Sequence, residues 1–370
     1  MTTLQEAVQR FTPLDPELMA RRLGRPGPMP RVIIDTDTAN EIDDQYAVAW
    51  ALLSQDRLKV EGVTAAPFSF LHHRDGLYDA MAALQKGGGT DHDSKFVGPF
   101  AGWAKRLLAD GRTADDIEFV TPDAGEERSY EEILRVFDAC GLPHEGKVFR
   151  GSREHLPSYD KPVESEAAQF IIDQARNRKD GPVYVLAMGA LPNIGSALLM
   201  APDIIDNLVV VWTSGFPSYA PFCNEPSLNL VQDRLSSRLV FECGVPHVYL
   251  PGYHVGAQLT ISRPEMEQFV KGRGDIGDYL WHLYTNNPLH VKYAISEPET
   301  KTWVIWDIIN VAWMLDAAYV PTHLTKSPHL DEALYWQNDP SRHAMLEAYD
   351  VARDAIFEDF YRTLNHPMTS

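Results

Sequence analysis

Cysteine is scarce in this chain of 370 residues, which contains only Cys140, Cys223 and Cys243. Three cysteines without a CxxC pair do not make the disulfide framework of a small secreted domain and are typical of reduced thiols. The first residues contain no apolar stretch like that of a signal peptide. No run approaches the roughly 18 apolar residues of a membrane helix. We therefore expect a cytoplasmic protein that does not bind a membrane.

Basic residues are also outnumbered, since 33 Lys and Arg face 52 Asp and Glu and give a formal net charge of −19. Nucleic-acid-binding proteins concentrate Lys and Arg, so this balance argues against a nucleic-acid partner. Part of the acidic excess can lie in a metal site. The composition is otherwise that of a globular protein, with 44% apolar residues, and the length allows a large core.

Short apolar segments alternate with amphipathic segments through most of the chain. The predicted strands are RVIIDTD and residues 58–65, 147–151, 183–188, 207–214 and 247–252. The predicted helices are the segment from Asp43 onward, residues 164–178, PNIGSALLM and RLSSRLVFE. This alternation predicts an α/β fold with an open, mostly parallel, Rossmann-like sheet and helices on both faces.

The domain organisation predicted from the sequence is an amino-terminal extension, 1–29, and a single α/β domain, 30–370. In the extension we expect a short amphipathic helix, either loosely attached or docked. Residues 70–130 interrupt the alternation with GGG, DHD and several turn signals, which predicts an insertion. Residues 341–363 carry apolar side chains on one helical face and predict a late helix.

A cluster of acids marks the end of the first predicted strand. Within ten residues there are five acids and no base: Asp35, Asp37, Glu41, Asp43 and Asp44. Residues two apart in a strand face the same way, so Asp35 and Asp37 can face one pocket at the carboxyl end of the strand, where open α/β sheets bind ligands. Asp43 and Asp44 follow at the start of the next helix.

Carboxylates packed this closely repel one another unless their pKa values rise or a cation binds. Oxygen ligands without His or Cys indicate a hard cation, Ca²⁺ or Mg²⁺, and Ca²⁺ is favoured where many protein oxygens converge. In the alternative, Asp43 and Asp44 only cap the helix and Glu41 is solvated. That alternative does not account for Asp35 and Asp37 at the end of a buried strand.

The acidic segment IIDTDTANEIDDQYAVA resembles the amino-terminal signature, DxDxxxDD, of the inosine/uridine-preferring nucleoside hydrolase family, with two extra residues before the final Asp pair. Three further segments resemble that family in the same order. VLAMGALPNIGSAL is similar to its strand-GxLxN-helix segment, SLNLVQDRLSSRLVF to its EFNxxxDPEAAxxVF segment, and VIWDIINVAWML to its late HDA helix. The resemblance covers most of residues 30–320. It implies an open α/β sheet, a bound Ca²⁺, a homodimer or homotetramer, and cleavage of ribonucleosides to base and ribose.

Carried over position by position, the resemblance implies a set of site residues. The implied metal ligands are Asp37, Asp44, the backbone carbonyl of Met188 and Asp307. Asp37 would also act as general base. Asp43 would hold the ribose 2′-hydroxyl and Asn229 another ribose hydroxyl. Asp35 matches the first Asp of the signature and would support the site without binding the metal.

Four departures from the family pattern concern the substrate side of the site. Ser227 replaces a Glu, for which Glu225 could substitute, and Phe68 stands where the family has a ribose-contacting Asn. Trp306 replaces the His that protonates the leaving base in some members. The HGxxG loop near the base pocket is missing between Gly151 and Glu164. The metal and ribose positions are therefore well matched, whereas the base pocket is not.

The acid that protonates the leaving base is left open by the sequence. The candidates are His72, His73, His254 and Tyr293, and His254 is the first choice because it follows a strand ending in Pro-Gly. Each can equally be a surface or core residue. Trp212, Trp303 and Trp306 are candidates for lining a base pocket, although core packing is the expected role of at least two of them.

The predicted function is Ca²⁺-dependent hydrolysis of the N-glycosidic bond of a ribonucleoside or related N-riboside. Two alternatives stay open. One is a catalytically silent nucleoside- or sugar-binding homologue, because three positions that contact substrate have changed. The other is a metal-dependent phosphatase, since a strand ending in DxD also begins haloacid-dehalogenase-like phosphatases. Those enzymes need a Gly-Thr or similar turn after the second Asp, whereas Thr38-Ala39-Asn40 follows here.

Overall fold

The structure is a computed structural model, and it describes residues 2–86 and 98–365. The GGG and DHD signals of the predicted insertion lie outside the described residues, and so do the last five residues of the predicted domain. No helix in the described ranges is both long enough and apolar enough to span a bilayer.

The strands vary from two to seven residues in length. They are β1 (Arg31–Thr36), β2 (Lys59–Ala65), β3 (Val148–Phe149), β4 (Val183–Ala187), β5 (Leu208–Ser214), β6 (His247–Pro251), β7 (Thr260–Ile261), β8 (Trp303–Val304), β9 (Thr322–Lys326), β10 (His329–Leu330), β11 (Trp336–Gln337) and β12 (Ala344–Ala348).

The α-helices follow and separate these strands. They are α1 (Leu4–Val8), α2 (Pro16–Arg22), α3 (Asp43–Leu53), α4 (Leu71–Gln85), α5 (Gly98–Ala109), α6 (Pro122–Ala139), α7 (Glu166–Arg176), α8 (Pro192–Met200), α9 (Leu228–Val231), α10 (Arg234–Glu242), α11 (Arg263–Glu265), α12 (Gly274–Thr285), α13 (Pro288–Lys292), α14 (Ile308–Leu315) and α15 (Arg353–Asn365).

The described part of the chain forms an eight-stranded sheet with the order β3-β2-β1-β4-β5-β6-β12-β9. Its neighbouring strands are parallel except for β12 and β9, which are antiparallel. At the carboxyl end of β1, Asp35 lies beside Thr64 of β2 and Ala187 of β4. The predicted open, mostly parallel α/β sheet is confirmed.

Helices cover both faces of the sheet. Val32 and Ile34 of β1 pack into a core with α3, α14 and α15, whereas Ile33 points to the other face and packs with α7, α8 and α10. Because both faces are buried, the central strands are continuously apolar, as in VYVLA and LVVVWTS. These central strands therefore contain few polar residues, and the polar side chains lie mainly where the strands end.

The amino-terminal helix α1 is docked, which decides between the two alternatives that the sequence left open. Ala7 and Phe11 are buried in the core shared with α8 and α10. Arg10 donates from its guanidinium to the Leu199 carbonyl at 2.5 Å. The second helix, α2, was not among the sequence predictions. Asp15 caps it by accepting from two backbone N–H groups, and a proline occupies its first position.

The prediction of one late helix over residues 341–363 was wrong in its first half. Residues 344–348 form β12, which lies in the main sheet between β6 and β9, and α15 begins only at Arg353. Met345 and Ala348 are buried in this strand. The same apolar residues satisfy both periods over so short a segment, and pairing with β6 and β9 decides the outcome.

Residues 70–130, predicted as an insertion, contain α4, α5 and the start of α6. Leu77, Trp103 and Leu107 form a small core between α4 and α5. The Trp103 indole donates to the Lys292 carbonyl at 2.9 Å, so this unit contacts the end of α13. Both α4 and α13 border the pocket described below, and the unit therefore contributes to one of its walls.

Candidate active site

A pocket of about 280 Å³ opens at the carboxyl edge of the sheet. Asp37 follows β1, Met188 follows β4, Ser214 ends β5 and Gly252 follows β6, and all four residues line the pocket. Chain segments leaving parallel strands gather at this edge, which is where open α/β sheets bind ligands. The acids singled out in the sequence therefore lie beside a cavity that can hold a small molecule.

Asp35 and Asp37 do not face the pocket together. Asp35 is fully buried and accepts hydrogen bonds from the Thr64 hydroxyl at 2.6 Å and the Asn193 amide at 2.8 Å. Asp37 lines the pocket. The strand ends at Thr36, so the two-residue alternation expected from the sequence stops before Asp37. Asp35 supports the site from behind the pocket wall.

Three buried carboxylates from two distant segments meet at the pocket floor. Asp43 and Asp44 begin α3, and Asp307 lies at the amino-terminal cap of α14. Each offers a carboxylate oxygen, and these oxygens lie within 4.8 Å of one another. Asp37 lies near enough for the charges of Asp43 and Asp44 to act on it. The fold thus brings Asp307 into contact range of Asp43 and Asp44, although more than 250 residues separate them in the sequence.

Burial is the main reason that the pKa values of these carboxyl groups are raised. It raises the pKa of Asp43 to about 6. The pKa values of Asp37, Asp44 and Asp307 lie well above the usual range, because burial is reinforced by the charges of the neighbouring carboxylates. Without a cation the folded state therefore favours the protonated forms of these carboxyl groups.

The donor set fits a hard cation. Oδ1 of Asp43 and Oδ1 of Asp307 are buried, and neither has a hydrogen-bond partner within residues 2–86 and 98–365. Buried carboxylate oxygens that lack partners are costly unless a charge compensates them. All the available ligands are oxygens, which Ca²⁺ and Mg²⁺ prefer. The buried triad can therefore hold a metal ion.

Three residues beside the triad, Gly189, Asn229 and Asn40, restrict the positions of Asp37 and Met188. Gly189 passes so close to Asp37 that a Cβ atom at this position would lie 2.9 Å from the carboxylate carbon. The Met188 carbonyl, implied as a metal ligand, accepts a hydrogen bond from the Asn229 amide at 2.5 Å. Asn40, in the loop after β1, donates to Oδ2 of Asp37 at 3.2 Å.

The upper walls of the pocket are partly aromatic. Trp306 and Tyr253 line the pocket, and their rings meet edge to face with centroids 5.7 Å apart. Trp303 and Tyr293 also line it, as does Asn229. Aromatic side chains beside carboxylates suit a ligand with a polar sugar and a flat ring. Of the three tryptophans considered in the sequence, Trp303 and Trp306 reach the pocket.

Several residues predicted from the sequence do not line the pocket. Trp212 is in the core, where its indole donates to the Gly189 carbonyl at 3.1 Å. Phe68 is buried behind Phe70, and Glu225 is exposed. His254 is exposed, with a φ of 72°, and packs against Phe216 and Phe222. The proposed substrate contacts of Phe68 and Glu225, and the acid role of His254, stay predictions to which these positions add no support.

Glu41 is a pocket residue for which the sequence predicted no chemical role. It lies in the five-residue loop between Asp37 and Asp43, and it faces the pocket close to Tyr253 and Tyr293. The signal in the sequence was the lengthened loop itself, which contains a further acid between Asp37 and Asp43. His73 and Tyr293, named in the sequence as candidate acids, also line the pocket.

An open, mostly parallel sheet with a buried cluster of carboxylates under an aromatic pocket defines an α/β protein whose site suits a small molecule and can hold a hard metal ion. A model of the family described as inosine-uridine preferring nucleoside hydrolase matches residues 32–355. The chain therefore belongs to this family and is a hydrolase of N-glycosidic bonds, which confirms the resemblance drawn from the four sequence segments.

Similar proteins agree with this assignment. A curated relative described as probable uridine nucleosidase 2, from Arabidopsis thaliana, is 23% identical over 301 residues, which is 81% of this chain and 80% of the relative. A solved purine-preferring ribonucleoside hydrolase from Gardnerella vaginalis has a TM-score of 0.61 at 18% identity and covers 90% of this chain and 98% of its own. The inosine-uridine preferring nucleoside hydrolase from Bacillus anthracis has a TM-score of 0.56 at 16% identity, over 91% and 99%. At these identities the two structures show a shared fold.

Proposed function

We propose that this protein is a Ca²⁺-dependent hydrolase that cleaves the N-glycosidic bond of a ribonucleoside or related N-riboside. The observation that carries the proposal is the meeting of Asp43, Asp44 and Asp307 on the floor of a pocket walled by aromatic rings. One oxygen of Asp43 and one of Asp307 lack a hydrogen-bond partner within residues 2–86 and 98–365. A sugar fits the polar floor, and a base fits the aromatic wall.

Asp37, Asp44, Asp307 and the Met188 carbonyl are the proposed Ca²⁺ ligands. All are buried at the pocket floor, and all offer oxygen. When bound, Ca²⁺ supplies a hard positive centre that holds oxygen ligands in fixed positions and favours the ionised carboxylates. Ca²⁺ is preferred over Mg²⁺ because several protein oxygens converge, whereas Mg²⁺ usually keeps most of its water ligands.

Asp37 is the proposed general base. Its carboxylate faces the pocket and is oriented by the Asn40 amide on one side and by the close approach of Gly189 on the other. In the reaction the water oxygen bonds to the anomeric carbon and a water proton passes to Asp37. The bond from the anomeric carbon to the base nitrogen breaks, and its electron pair leaves with the base.

The remaining carboxylates stabilise the transition state, in which the ribosyl ring resembles an oxocarbenium ion. A floor of negative oxygens favours that developing positive charge more than the neutral substrate, and differential binding of this kind accelerates a reaction. Asp43 is placed to accept from the ribose 2′-hydroxyl. Asn229, whose amide lies between the Met188 and Thr213 carbonyls, is the proposed contact to a further ribose hydroxyl.

The leaving base meets Trp306 where the family has a His in some members. An indole cannot donate a proton as an acid does, so Trp306 contributes stacking. The titratable groups that line the same pocket and could protonate the base are Glu41, Tyr253 and Tyr293. His254, the first choice from the sequence, is exposed and does not line the pocket. Its loop would have to move for the imidazole to reach the leaving base.

The test is turnover of a panel of purine and pyrimidine ribonucleosides by the purified protein in Ca²⁺, with released reducing sugar as the readout. We expect cleavage of at least one compound and loss of cleavage after EDTA treatment. Ribose binding without cleavage of any compound would instead support a silent binding homologue. Hydrolysis of p-nitrophenyl phosphate in place of nucleosides would support the phosphatase alternative.

A homodimer or homotetramer and a cytoplasmic location complete the proposal. The three cysteines are all free thiols in the structure, which suits a reducing compartment. Sedimentation equilibrium decides the assembly, since the monomer mass is 41.6 kDa. A species at that mass alone at micromolar concentration would contradict the proposed oligomer.

A further inference from the structure

A basic cluster lies beside the active-site pocket, although the chain as a whole carries a net charge of −19. Its members come from four separate segments of the chain: His72 and His73 in α4, His155, Arg234 in α10 and Lys292 in α13. The His72 and His73 rings lie 4.0 Å apart, centroid to centroid. His72 lies within electrostatic range of all the other members.

Several hydrogen-bonding atoms of this cluster have no partner. Arg234 is exposed, and its guanidinium forms no hydrogen bond or ion pair within the part of the chain that the structure describes. Nδ1 of His73 and Nε2 of His155 are buried without a partner in the same ranges. The side-chain amide of Gln232, which accepts from the Ser69 N–H, leaves its own NH₂ buried and unused.

The acids near the cluster are already engaged. Asp233 lies close to His155, but its two oxygens accept from the Ser236 and Leu156 N–H groups, each at 3.0 Å. Glu118 acts on Lys292 from a distance and is held by Arg128 in two hydrogen bonds. The charges of Asp233 and Glu118 still act on His155 and Lys292, but neither carboxylate accepts a hydrogen bond from a member of the cluster in the described ranges.

Without a bound anion, burial favours the neutral forms of His72, His73 and Lys292. Burial, followed by the charges of its neighbours, lowers the pKa of His72 to about 3. Burial likewise lowers the pKa of His73 to about 4 and that of Lys292 to about 6. A bound anion would raise all three pKa values, because an opposite charge favours the protonated forms.

The cluster is continuous with the pocket. His73 itself lines the pocket, and Lys292 lies over the ring of Phe70, another lining residue. The segment that supplies Ser227 and Asn229 to the pocket wall continues through Gln232 to Arg234. The cluster therefore adjoins the pocket through two segments, one that contains Phe70 and His73 and one that runs from Ser227 to Arg234.

The position of the basic cluster relative to the pocket suggests which substituent of a bound riboside it would contact. If the carboxylate floor holds the 2′- and 3′-hydroxyls, the substituents at C1′ and C4′ point to opposite ends of the pocket. Trp306 and Tyr253 form an aromatic wall that suits the base at C1′. The 5′ substituent is assigned to the side of the pocket that contains His73 and leads to Arg234, because that side carries the unused donors. Arg and Lys with unused donors recognise a phosphate monoester well.

Resting on the proposed hydrolase function, we propose that the preferred substrate is a ribonucleoside 5′-monophosphate or a similar N-riboside 5′-phosphate, whose phosphate is bound by Arg234, Lys292 and the paired histidines of the basic cluster. The bond cleaved is the same N-glycosidic bond. The phosphate ester stays intact, so the products are the free base and ribose 5-phosphate.

Kinetics on matched substrates test this proposal. The kcat/KM values for uridine and uridine 5′-monophosphate, and for inosine and inosine 5′-monophosphate, are measured with wild type, Arg234→Gln and Arg25→Gln. Arg25 is the matched control, because it is an exposed arginine without a hydrogen bond or ion pair in the described ranges, and it lies outside the active-site pocket. We expect the wild type to favour a monophosphate by about tenfold or more, since charged hydrogen bonds are strong.

In Arg234→Gln the ratio of kcat/KM for the monophosphate to that for the nucleoside should fall by about 10-fold to 100-fold. In Arg25→Gln this ratio should stay that of the wild type. A wild type that prefers nucleosides, or a ratio that is the same in both variants, would overturn the proposal while leaving nucleoside hydrolysis intact.

Binding measurements distinguish failure of the phosphate site from failure of the proposed hydrolysis. Calorimetric titration with uridine 5′-monophosphate, uridine and inorganic phosphate is done in EDTA, so that no ligand can bind a metal ion. We expect the monophosphate to bind more tightly than uridine, and Arg234→Gln to weaken its binding at least about tenfold. If no compound is cleaved but this binding depends on Arg234, the proposed hydrolysis fails and the phosphate site stands. If inorganic phosphate binds and the monophosphate does not, the substrate assignment is wrong.

Discussion

Asp37 has an environment that a carboxylate rarely tolerates. It is almost fully buried, two further carboxylates act on it, and Gly189 leaves no room behind it. Such a position raises the pKa of the group and fixes its direction, and both properties suit a base that needs a cation nearby to ionise. Burying several carboxylates together destabilises the folded protein, and such strongly perturbed groups are found mainly at functional sites.

Replacing Asp37 with Asn keeps the shape of the side chain and removes its charge and basicity. We expect kcat for the best nucleoside to fall by about 10³-fold, within the range for the loss of a general base, and Ca²⁺ affinity to weaken. Steady-state kinetics and calorimetric Ca²⁺ titration measure the two effects. Glu145→Gln, an exposed acid away from the pocket, is the control. Wild-type turnover in Asp37→Asn would refute the role of Asp37.

Trp306 is the residue that most clearly separates this pocket from the pattern implied by the sequence resemblance. Its indole packs against Tyr253 and lies close to Gly252 and Gly256, where an added Cβ would be in ordinary van der Waals contact with the ring, at 3.9 and 3.7 Å. We expect Trp306→Ala to raise KM about tenfold, because stacking on a base is worth about 1–3 kcal/mol. Trp306→Phe should keep most of the affinity. Equal kinetics for wild type and Trp306→Ala would show that the base lies elsewhere.

At the scale of secondary-structure elements, the site depends on how strands end. β1 stops at Thr36, which turns Asp37 toward the pocket and leaves Asp35 bonded to Thr64 and Asn193 below it. The Thr36 hydroxyl donates to Asp44 at the start of α3. The end of one strand and the first turn of the following helix are thereby linked, and the carboxylates keep fixed relative positions.

The turn after β4 offers a test of this geometry. In Gly189→Ala the new Cβ would lie 2.9 Å from the Asp37 carboxylate carbon, so one of the two must move. We expect kcat to fall about 10-fold to 100-fold, since a displacement near 1 Å can cost that much, with little change in the far-UV circular dichroism spectrum. Gly102→Ala in α5, where the nearest atom is 3.6 Å away, is the matched control. Unchanged kcat in Gly189→Ala would contradict the close packing of Asp37.

At the scale of the whole molecule, the carboxylate cluster links stability to pH and to the metal. In the metal-free protein, burial raises the pKa of Asp35 and Asp43 to about 6, and those of Asp37, Asp44 and Asp307 are raised as well. In the unfolded chain these groups titrate near about 3.9. The folded state therefore binds more protons, and the stability that these groups contribute below about pH 4 is lost as pH rises through 6 and beyond.

We expect the Tm of the EDTA-treated protein to decrease between about pH 5 and pH 8, and the gain in Tm on adding Ca²⁺ to increase over the same interval, because Ca²⁺ binds the ionised carboxylates. At a Ca²⁺ concentration about 100 times the Kd, the gain should be roughly 3–5 °C. Scanning calorimetry measures both quantities. Asp307→Asn should lose most of the gain. A gain that does not vary with pH would mean that other groups bind the ion.

The sequence was sufficient to predict the architecture of the central sheet and to identify the acids that follow its first strand. Continuous apolar strands separated by amphipathic helices can bury themselves in only a few ways, and a parallel sheet covered on both faces is one of them. Asp37, Asp43 and Asp44 were evident because acids rarely follow a buried strand so densely. Residues 344–348 were not recoverable, since strand and helix periods coincide over five residues and only pairing with β6 and β9 decides between them.

The sequence by itself determined which oxygen ligands the chain carries and that they follow the first buried strand, because local pattern and side-chain chemistry are properties of short segments. Only the tertiary structure decided which groups meet. Asp307 lies beside Asp43 and Asp44, whereas Trp212 is in the core. Glu41 lines the pocket. The basic cluster of His72, His155, Arg234 and Lys292 lies next to it. The physical reason is that these contacts join segments far apart in the chain, and their positions are set by the packing of helices on both faces of the sheet.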